Sequence, residues 1–543
     1  MCLKKRQYTL IFLSLIISSV LVLRIFYIAV IKNSYFKTKA DAQNKISVNV
    51  TENRGNIYDR NRKSFTEVNP VKVGVVFSDK NKKNLNYTAK VVSDNSYESQ
   101  KYIVDTLEKN EVCMVRLKPG YAGKLDTLSN VKVADVKLRY LEDYPASNTI
   151  GYVSQGKGVL GIEKLYDKYL TNKNKGKISA SYDAKNNLIP RYKLDVSDFE
   201  VNKLSVVTTL DLDYSRICKE AFENANVKGA ATLLSVDSFD ILSLVSFPDF
   251  DPENVSLYLK SEDSNLLNRA INSYDMGSIF KIAVVCSALE NGVISLNDTF
   301  ECSGKTVVAG KVFECHDKEG HGVQSLEQAF ANSCNCAFIE IGQLVGYKNI
   351  IEMAKKFGMG QKLIYPYEFE QSPGTLPSPE NYYLADEANL SIGQGYLSGN
   401  TVQGAVMSAI IAAGGSRKTT NLIDSIINDK GDKVENVRKY EKITVLKKET
   451  ADTVKKMMIE TVKSGTGINA EVEKFGCGGK TGTAQTGWFV DGENYQHGWF
   501  TGFFPEDNPK YALCVFVENG KSGSMAAAPI FKEIAQNIMK KTS

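Results

Sequence analysis

Tyr8 to Leu23 form an apolar run that Arg24 interrupts and Ile25 to Ile31 resume. Residues 8–31 are together long enough to span a bilayer, and Arg24 lies near the far end, where its stem can snorkel to the interface. Lys4-Lys5-Arg6 precede the run. Basic residues on that side predict a cytoplasmic tail over 1–7 and an extracytoplasmic bulk. No clean small-x-small cleavage site follows, so the run reads as an uncleaved single-pass anchor in the cell membrane rather than a signal peptide.

Residues 32–50 are polar and charged, which predicts a short helix. From there to residue 203, β-like runs such as Val71 to Phe77 and Lys177 to Tyr182 alternate with polar loops. Ser78 to Asn86 offers little to pack. The pattern predicts an elongated α+β module over 32–203 with no catalytic chemistry of its own. The texture changes at residue 204. Gly229 to Val236 and Ile241 to Ser246 flank an Asp-Ser-Phe-Asp turn and predict a β-hairpin. Ser278 to Leu289 is apolar almost all round, the mark of a buried helix that Asn291-Gly292 ends. Lys480–Val490, His497–Phe504 and Tyr511–Glu518 predict three strands, the first two joined through Asp491-Gly492-Glu493-Asn494. Pro529 to Lys541 predicts an amphipathic helix. The domain over 204–543 therefore reads as an antiparallel sheet sandwiched by helices, and the whole as an α+β multidomain chain.

Composition narrows the function. The 543 residues carry 67 basic and 62 acidic side chains, too balanced to argue for a nucleic-acid partner. No phosphate-cradling Gly-x-x-x-x-Gly-Lys occurs. Only three histidines are present, His316, His321 and His497, and none sits in a nucleophile-elbow context. What remains is serine chemistry without histidine. Ser278-Ile279-Phe280-Lys281 places a lysine one helical turn from a serine, so that its amine returns over the hydroxyl. Burial favours the neutral amine, a competent base. Ser333-Cys334-Asn335, if extended, points a hydroxyl and an amide the same way. Lys480-Thr481-Gly482-Thr483 on an edge strand offers a cation, two hydroxyls for a carboxylate, and a glycine that lets substrate approach the backbone.

Each string alone is weak. Ser34-Tyr35-Phe36-Lys37 repeats the first, and Ser93-Asp94-Asn95, Ser295-Leu296-Asn297 and Ser398-Gly399-Asn400 repeat the second. Order and context decide between them. Asn268-Arg269-Ala270 before Met276-Gly277-Ser278, His321-Gly322 before Ser333, Ser391-Ile392-Gly393-Gln394-Gly395, Gly465-Thr466-Gly467 before Lys480, and Trp499-Phe500-Thr501-Gly502-Phe503 follow in sequence. Upstream stand Arg54-Gly55-Asn56-Ile57-Tyr58-Asp59-Arg60, Arg139-Tyr140, Tyr144-Pro145 and Gly161-Ile162-Glu163-Lys164. Together these strongly resemble the class B penicillin-binding proteins, the peptidoglycan transpeptidases. The match is nearest the division and sporulation branch that includes the stage V sporulation protein D group.

The resemblance implies a pedestal of the dimerisation type over 32–203 and a serine β-lactamase-like transpeptidase domain over 204–543. It implies Ser278 as nucleophile on the bond between terminal D-alanines of a stem peptide, Lys281 as base, and Ser333 as proton relay aided by Lys480. Asn335 would hold the substrate amide. Thr481, Gly482 and Thr483 would bind the terminal carboxylate side, with the Ser278 and Thr483 N–H groups as oxyanion hole. Catalysis would need no cofactor. β-Lactams would acylate Ser278, and a separate polytopic glycan polymerase of the SEDS family would be the partner enzyme. A β-lactamase would need a positioned deacylating carboxylate, a β-lactam sensor further spans and a cytoplasmic effector, and a scaffold no intact Ser278–Lys281–Ser333–Asn335–Lys480 set.

Met276 and Asn61 depart from the family's usual proline and glycine. A denser departure lies at Cys302, Cys315, Asp317 and His321, four residues of zinc-ligand type within twenty positions, with a turn at Ala309-Gly310 able to bring the two cysteines together. Structural zinc, free thiols and a Cys302–Cys315 disulfide are the three readings. Cys286 reads as core. His497 reads as a packing residue. Arg54, Asp59 and Arg60 are expected in a buried ion network.

Overall fold

The C-terminal domain is organised by one five-stranded antiparallel sheet: β1 (Gly229–Ser235), β2 (Ile241–Phe247), β3 (Gly478–Val490), β4 (Glu493–Phe504) and β5 (Tyr511–Val517), in the order β2-β1-β5-β4-β3. The computed structural model describes residues 2–36, 39, 45–51, 54–66, 70–78, 82–109, 112–121, 123–137, 139–140, 144–171, 176–182, 188–195, 204–380, 382–490 and 493–542. Alternation along the strands sorts their side chains onto two faces. Ala230, Leu234, Trp499, Phe503, Cys514 and Phe516 join one core with the helices Lys281–Glu290 (α1), Thr401–Ala412 (α2) and Lys448–Lys463 (α3). Ala231, Leu233, Phe500, Phe504, Leu513 and Val515 join the other, with the helices Leu212–Ala225 and Ala528–Thr542. The predicted hairpin, the three late strands and the terminal helix are all present. Asp491-Gly492 lie outside the described residues, as does Lys37 of the rival Ser34 string.

The all-apolar pattern of α1 is explained by its place: Lys281 to Ala288 are buried without interruption. β3 is the edge strand, so the row carrying Lys480 to Thr483 has one unpaired side.

The chain divides into two compact units. One comprises residues 1–53, 68–138 and 172–201, the other 54–67, 139–171 and 202–543. The first contains a sheet of Pro70–Phe77 between Val112–Arg116 and Val131–Lys137. Two helices, Lys82–Asn95 and Gln100–Lys109, share its core through Val76, Leu85, Val92, Ile103 and Leu107. Part of the span read as loop, Ser78 to Asn86, is thus the start of a helix that Leu85 anchors. Lys45–Thr51, overlapping the end of the span predicted as helical, is a strand paired with Gly176–Tyr182, in keeping with the alternate Ile46, Val48 and Val50 that the polar composition obscures. The helix Cys2–Phe26, continued by a wider turn Tyr27–Ile31, is long and apolar enough to cross a membrane.

A division at 203/204 separates two segments that the packing keeps together. Ile57–Tyr58 pairs in parallel with Val206–Val207. Buried Arg54 donates to Glu163 at 2.7 Å and pairs with Asp167 at 2.7 Å, while Arg139 donates to the other oxygen of Glu163. Residues 54–67 and 139–171 therefore pack with the C-terminal unit. The expected ion network exists with different members. Asp59 instead accepts backbone N–H groups of Asn61, Lys63 and Leu212, and Arg60 is exposed.

Candidate active site

Gly277 to Phe280 form a tight 3-10 turn ahead of α1, so the helix begins at Lys281 and not at Ser278 as the spacing predicts. Met276, Ile279 and Phe280 are fully buried and fix the turn, leaving Ser278 half-buried on the wall of a cleft of about 850 Å³. Gly277 adopts φ +57°, and its N–H donates to the Gly393 carbonyl at 3.0 Å. A Cβ there would meet the backbone of Thr483, so only glycine lets the Ser278 turn lie this close to the edge strand.

Lys281 is completely buried. Its amine donates to the Ser333 carbonyl at 2.7 Å and to Asn335 Oδ1 at 2.8 Å, and lies 3.4 Å from Ser333 Oγ. The lysine thus reaches toward the second string, and no hydrogen bond engages the Ser278 hydroxyl among the described residues. Burial pushes Lys281 down to about 8, against the opposing pull of neighbouring Cys334, Cys315 and Cys336. Lys480, equally buried, is held well below its ordinary range by burial and by the charge of Lys281. Its amine donates to the Thr481 carbonyl at 3.2 Å. Two lysines that cannot comfortably both be charged are suited to exchanging a proton.

Ser333 and Asn335 are not extended. Ser333 sits in the left-handed region at φ +53°, and Asn335 opens the helix Asn335–Val345. The two side chains converge on Lys281 because the chain turns between them, not because a strand alternates. A non-glycine residue held at positive φ stores on the order of 1 kcal/mol, supported here by the Lys281 bond to its carbonyl. Asn335 Nδ2 donates to the Glu314 carbonyl at 3.0 Å, tying the string to the hairpin Lys305–Val308/Lys311–Glu314. That hairpin and the residues just after it supply one wall of the cleft through Lys311, Phe313, Glu314, Cys315 and His316.

Thr481 and Thr483 both line the cleft from β3, with Gly482 between them. Thr483 Oγ1 accepts the Gly523 N–H at 3.2 Å, and Gln394 Nε2 approaches the Thr483 carbonyl at 3.5 Å. Thr466 Oγ1 lies 2.6 Å from Thr481 Oγ1. Gln394 and Thr466 stand in the strings Ser391 to Gly395 and Gly465 to Gly467, whose spacing alone does not bring them to the site. Their contacts depend on loop packing.

Of the four residues of zinc-ligand type, the fold gathers Cys302, Cys315 and His321, and adds Cys334 in place of Asp317. The four ligand atoms lie within 4.8 Å of one another. Asp317 Oδ1 instead accepts the Glu319 N–H at 3.1 Å. The turn at Ala309-Gly310 forms as expected, but it joins Lys305–Val308 to Lys311–Glu314, while Thr299–Cys302 pairs with Gly322–Ser325. Cys315 Sγ stands 4.0 Å from Cys334 Sγ and 3.6 Å from His321 Nδ1. A zinc tetrahedron with bonds of about 2.0–2.3 Å has edges of roughly 3.3–3.8 Å, so the donor set fits with small adjustments. The Cys315 thiol is held well below its ordinary range, first by its contact with Cys334, which is itself raised. Cys286 is core, as expected. His497 packs against Tyr274, Tyr495 and Phe516, and burial lowers it to about 4.

Residues 229–536 match the Penicillin binding protein transpeptidase domain family. The chain is 31% identical over 435 residues to stage V sporulation protein D of Bacillus subtilis, covering 76% of this chain and 65% of that protein. It is 27% identical over 445 residues to the peptidoglycan D,D-transpeptidase MrdA of Acinetobacter baumannii, covering 76% and 63%. The aligned regions thus span somewhat under two thirds of these relatives. Among solved structures, penicillin-binding protein 3 of Mycobacterium tuberculosis complexed with aztreonam shares the fold, with a TM-score of 0.64 at 23% identity over 92% of this chain and 97% of that one.

Proposed function

The chain belongs to the penicillin-binding-protein transpeptidase family, and we propose that it is a membrane-anchored peptidoglycan D,D-transpeptidase acting in cell-wall synthesis at division or spore formation. The observation that carries this reading is the convergence of buried Lys281 on Ser333 and Asn335 beside the half-buried Ser278. Ser278 Oγ attacks the carbonyl between two terminal D-alanines, and its proton passes to the neutral Lys281 amine, directly or through Ser333. The negative oxygen is held by the Ser278 and Thr483 N–H groups, each such donor worth about 3 kcal/mol in the transition state. The terminal D-alanine leaves with the proton returned through Ser333 and Lys480. An amine of a neighbouring stem peptide then attacks the ester, loses a proton to the same relay, and frees Ser278. Asn335 orients the donor peptide, and Thr481, Gly482 and Thr483 receive its terminal carboxylate.

The apolar helix anchors the chain, with Lys4-Lys5-Arg6 on the cytoplasmic side and the catalytic domain outside. A polytopic SEDS-family glycan polymerase is the partner that extends the strands to be cross-linked. The Cys302, Cys315, His321 and Cys334 set would hold a structural zinc. Zinc there would tie Cys315, just after the hairpin, to Cys334, between Ser333 and Asn335, and would leave catalysis to the serine and lysines.

Mass spectrometry after incubation with a penicillin tests the reading. A persistent adduct on Ser278, absent from Ser278→Ala, is the expected result. Rapid turnover of the adduct points to a β-lactamase, and absence of any adduct sinks the proposal.

A further inference from the structure

Thr466 and Thr481 hydroxyls lie 2.6 Å apart, and either can be the donor. Thr466 Oγ1 also lies 3.3 Å from the Ala331 carbonyl, which already accepts the Thr466 N–H at 3.1 Å. Gly465 permits this approach, since a Cβ there would strike Ala331. The loop is thereby fixed between the segment leading into Ser333 and the edge strand β3.

Two proton arrangements follow. If Thr466 donates to Ala331, Thr481 must donate to Thr466, and its only proton is spent inside the protein. If Thr466 donates to Thr481, the Thr481 proton is free for an acceptor in the cleft. The first arrangement gains only a long second bond to a carbonyl that is satisfied without it. An anion in the cleft gains a charge-assisted bond, roughly twice as strong as a neutral one. Resting on the transpeptidase reading above, we propose that Thr466 is a positioning residue for the acyl donor's carboxylate. It acts through Thr481, fixing that hydroxyl and turning its proton toward the anion.

The test is the ratio of Ser278 acylation rates with benzylpenicillin and with its carboxyl methyl ester, measured on the full chain in detergent. Loss of one hydrogen-bond partner in Thr466→Val is expected to lower that ratio about fivefold to tenfold. Thr466→Ser, which keeps the hydroxyl, is expected to restore it. Thr481→Val should lower the ratio by itself, and adding Thr466→Val should lower it no further. An unchanged ratio in Thr466→Val, or a fully additive double variant, overturns the inference while leaving the transpeptidase reading in place. Should Thr466→Val fail to fold, Thr466→Ala carries the same comparison. A wild-type chain labelled by neither compound removes both readings.

Discussion

A Cβ placed on Gly277 would lie 2.5 Å from the carbonyl oxygen of Thr483, so the residue before Ser278 and the last threonine of the edge-strand motif are in backbone contact. Their separation in sequence is large, yet this approach, together with that of Gly482 to the Met276 carbonyl and the Ile279 N–H, sets Ser278 against β3. The same position requires φ +57°, which side-chain-bearing residues adopt at a cost.

Gly277→Ala is therefore expected to lose Ser278 acylation by a hundredfold or more while destabilising the domain by only about 1–3 kcal/mol. Penicillin labelling kinetics beside a denaturant melt measure the two effects. Labelling close to wild type would show that the turn can relax away from β3 without consequence.

The pH dependence follows from Lys281. Burial lowers its ammonium from 10.5 to about 8, so the neutral base becomes more abundant as pH rises through that value. Acylation of Ser278 should climb by about tenfold per pH unit below the midpoint and level off above it. Lys281→Arg, which stays charged throughout, should be slow at every pH. A wild-type profile falling with rising pH would exclude a neutral lysine as the base.

Metal analysis discriminates the donor sets. Cys302, Cys315, His321 and Cys334 cluster, whereas Asp317 is engaged with Glu319. Asp317→Ala is expected to retain zinc, and Cys334→Ser to weaken its binding by tenfold or more and lower the melting temperature. Purified protein that holds no metal and whose stability is unaffected by added zinc would refute the assignment.

Glu163 receives two arginines while itself fully buried, and Arg54 is only 3% exposed. Glu163→Gln removes the one carboxylate both guanidinium groups share. A loss of about 3–5 kcal/mol is expected, since it leaves buried positive charge without its partner. Equilibrium unfolding measures it, and a loss below 1 kcal/mol would mean that Asp167 alone compensates Arg54.

Much of the catalytic domain is readable before folding is considered. The alternation in Tyr511–Val517 distributes Cys514 and Phe516 to one core and Leu513 and Val515 to the other. That Lys480 to Thr483 lie on a strand likewise follows from local pattern, whereas its place at the edge of the sheet is set by the strand order. The reading failed where overall polarity hid an alternation or a distant partner decided the packing. Lys45–Thr51 lies in a polar span read as helix, yet Ile46, Val48 and Val50 alternate as in the strand that pairs with Gly176–Tyr182. Arg54 and Tyr58 stand in the N-terminal part of the chain but are held by Glu163 and the strand at Val206–Val207.

The amino-acid order alone determined which groups are available: the serine, the two lysines, the threonines, the thiols and the apolar helix. Periodicity also determined the strands that carry some of them, because burial of alternate side chains is a local property. Only the tertiary structure decided that Lys281 turns to Ser333 and Asn335, that Cys334 replaces Asp317 beside the other thiols, and that Thr466 meets Thr481. Each of those contacts joins segments distant in sequence through a left-handed residue, a hairpin or a glycine approach. Such geometry depends on how the chain closes on itself, which no local repeat encodes.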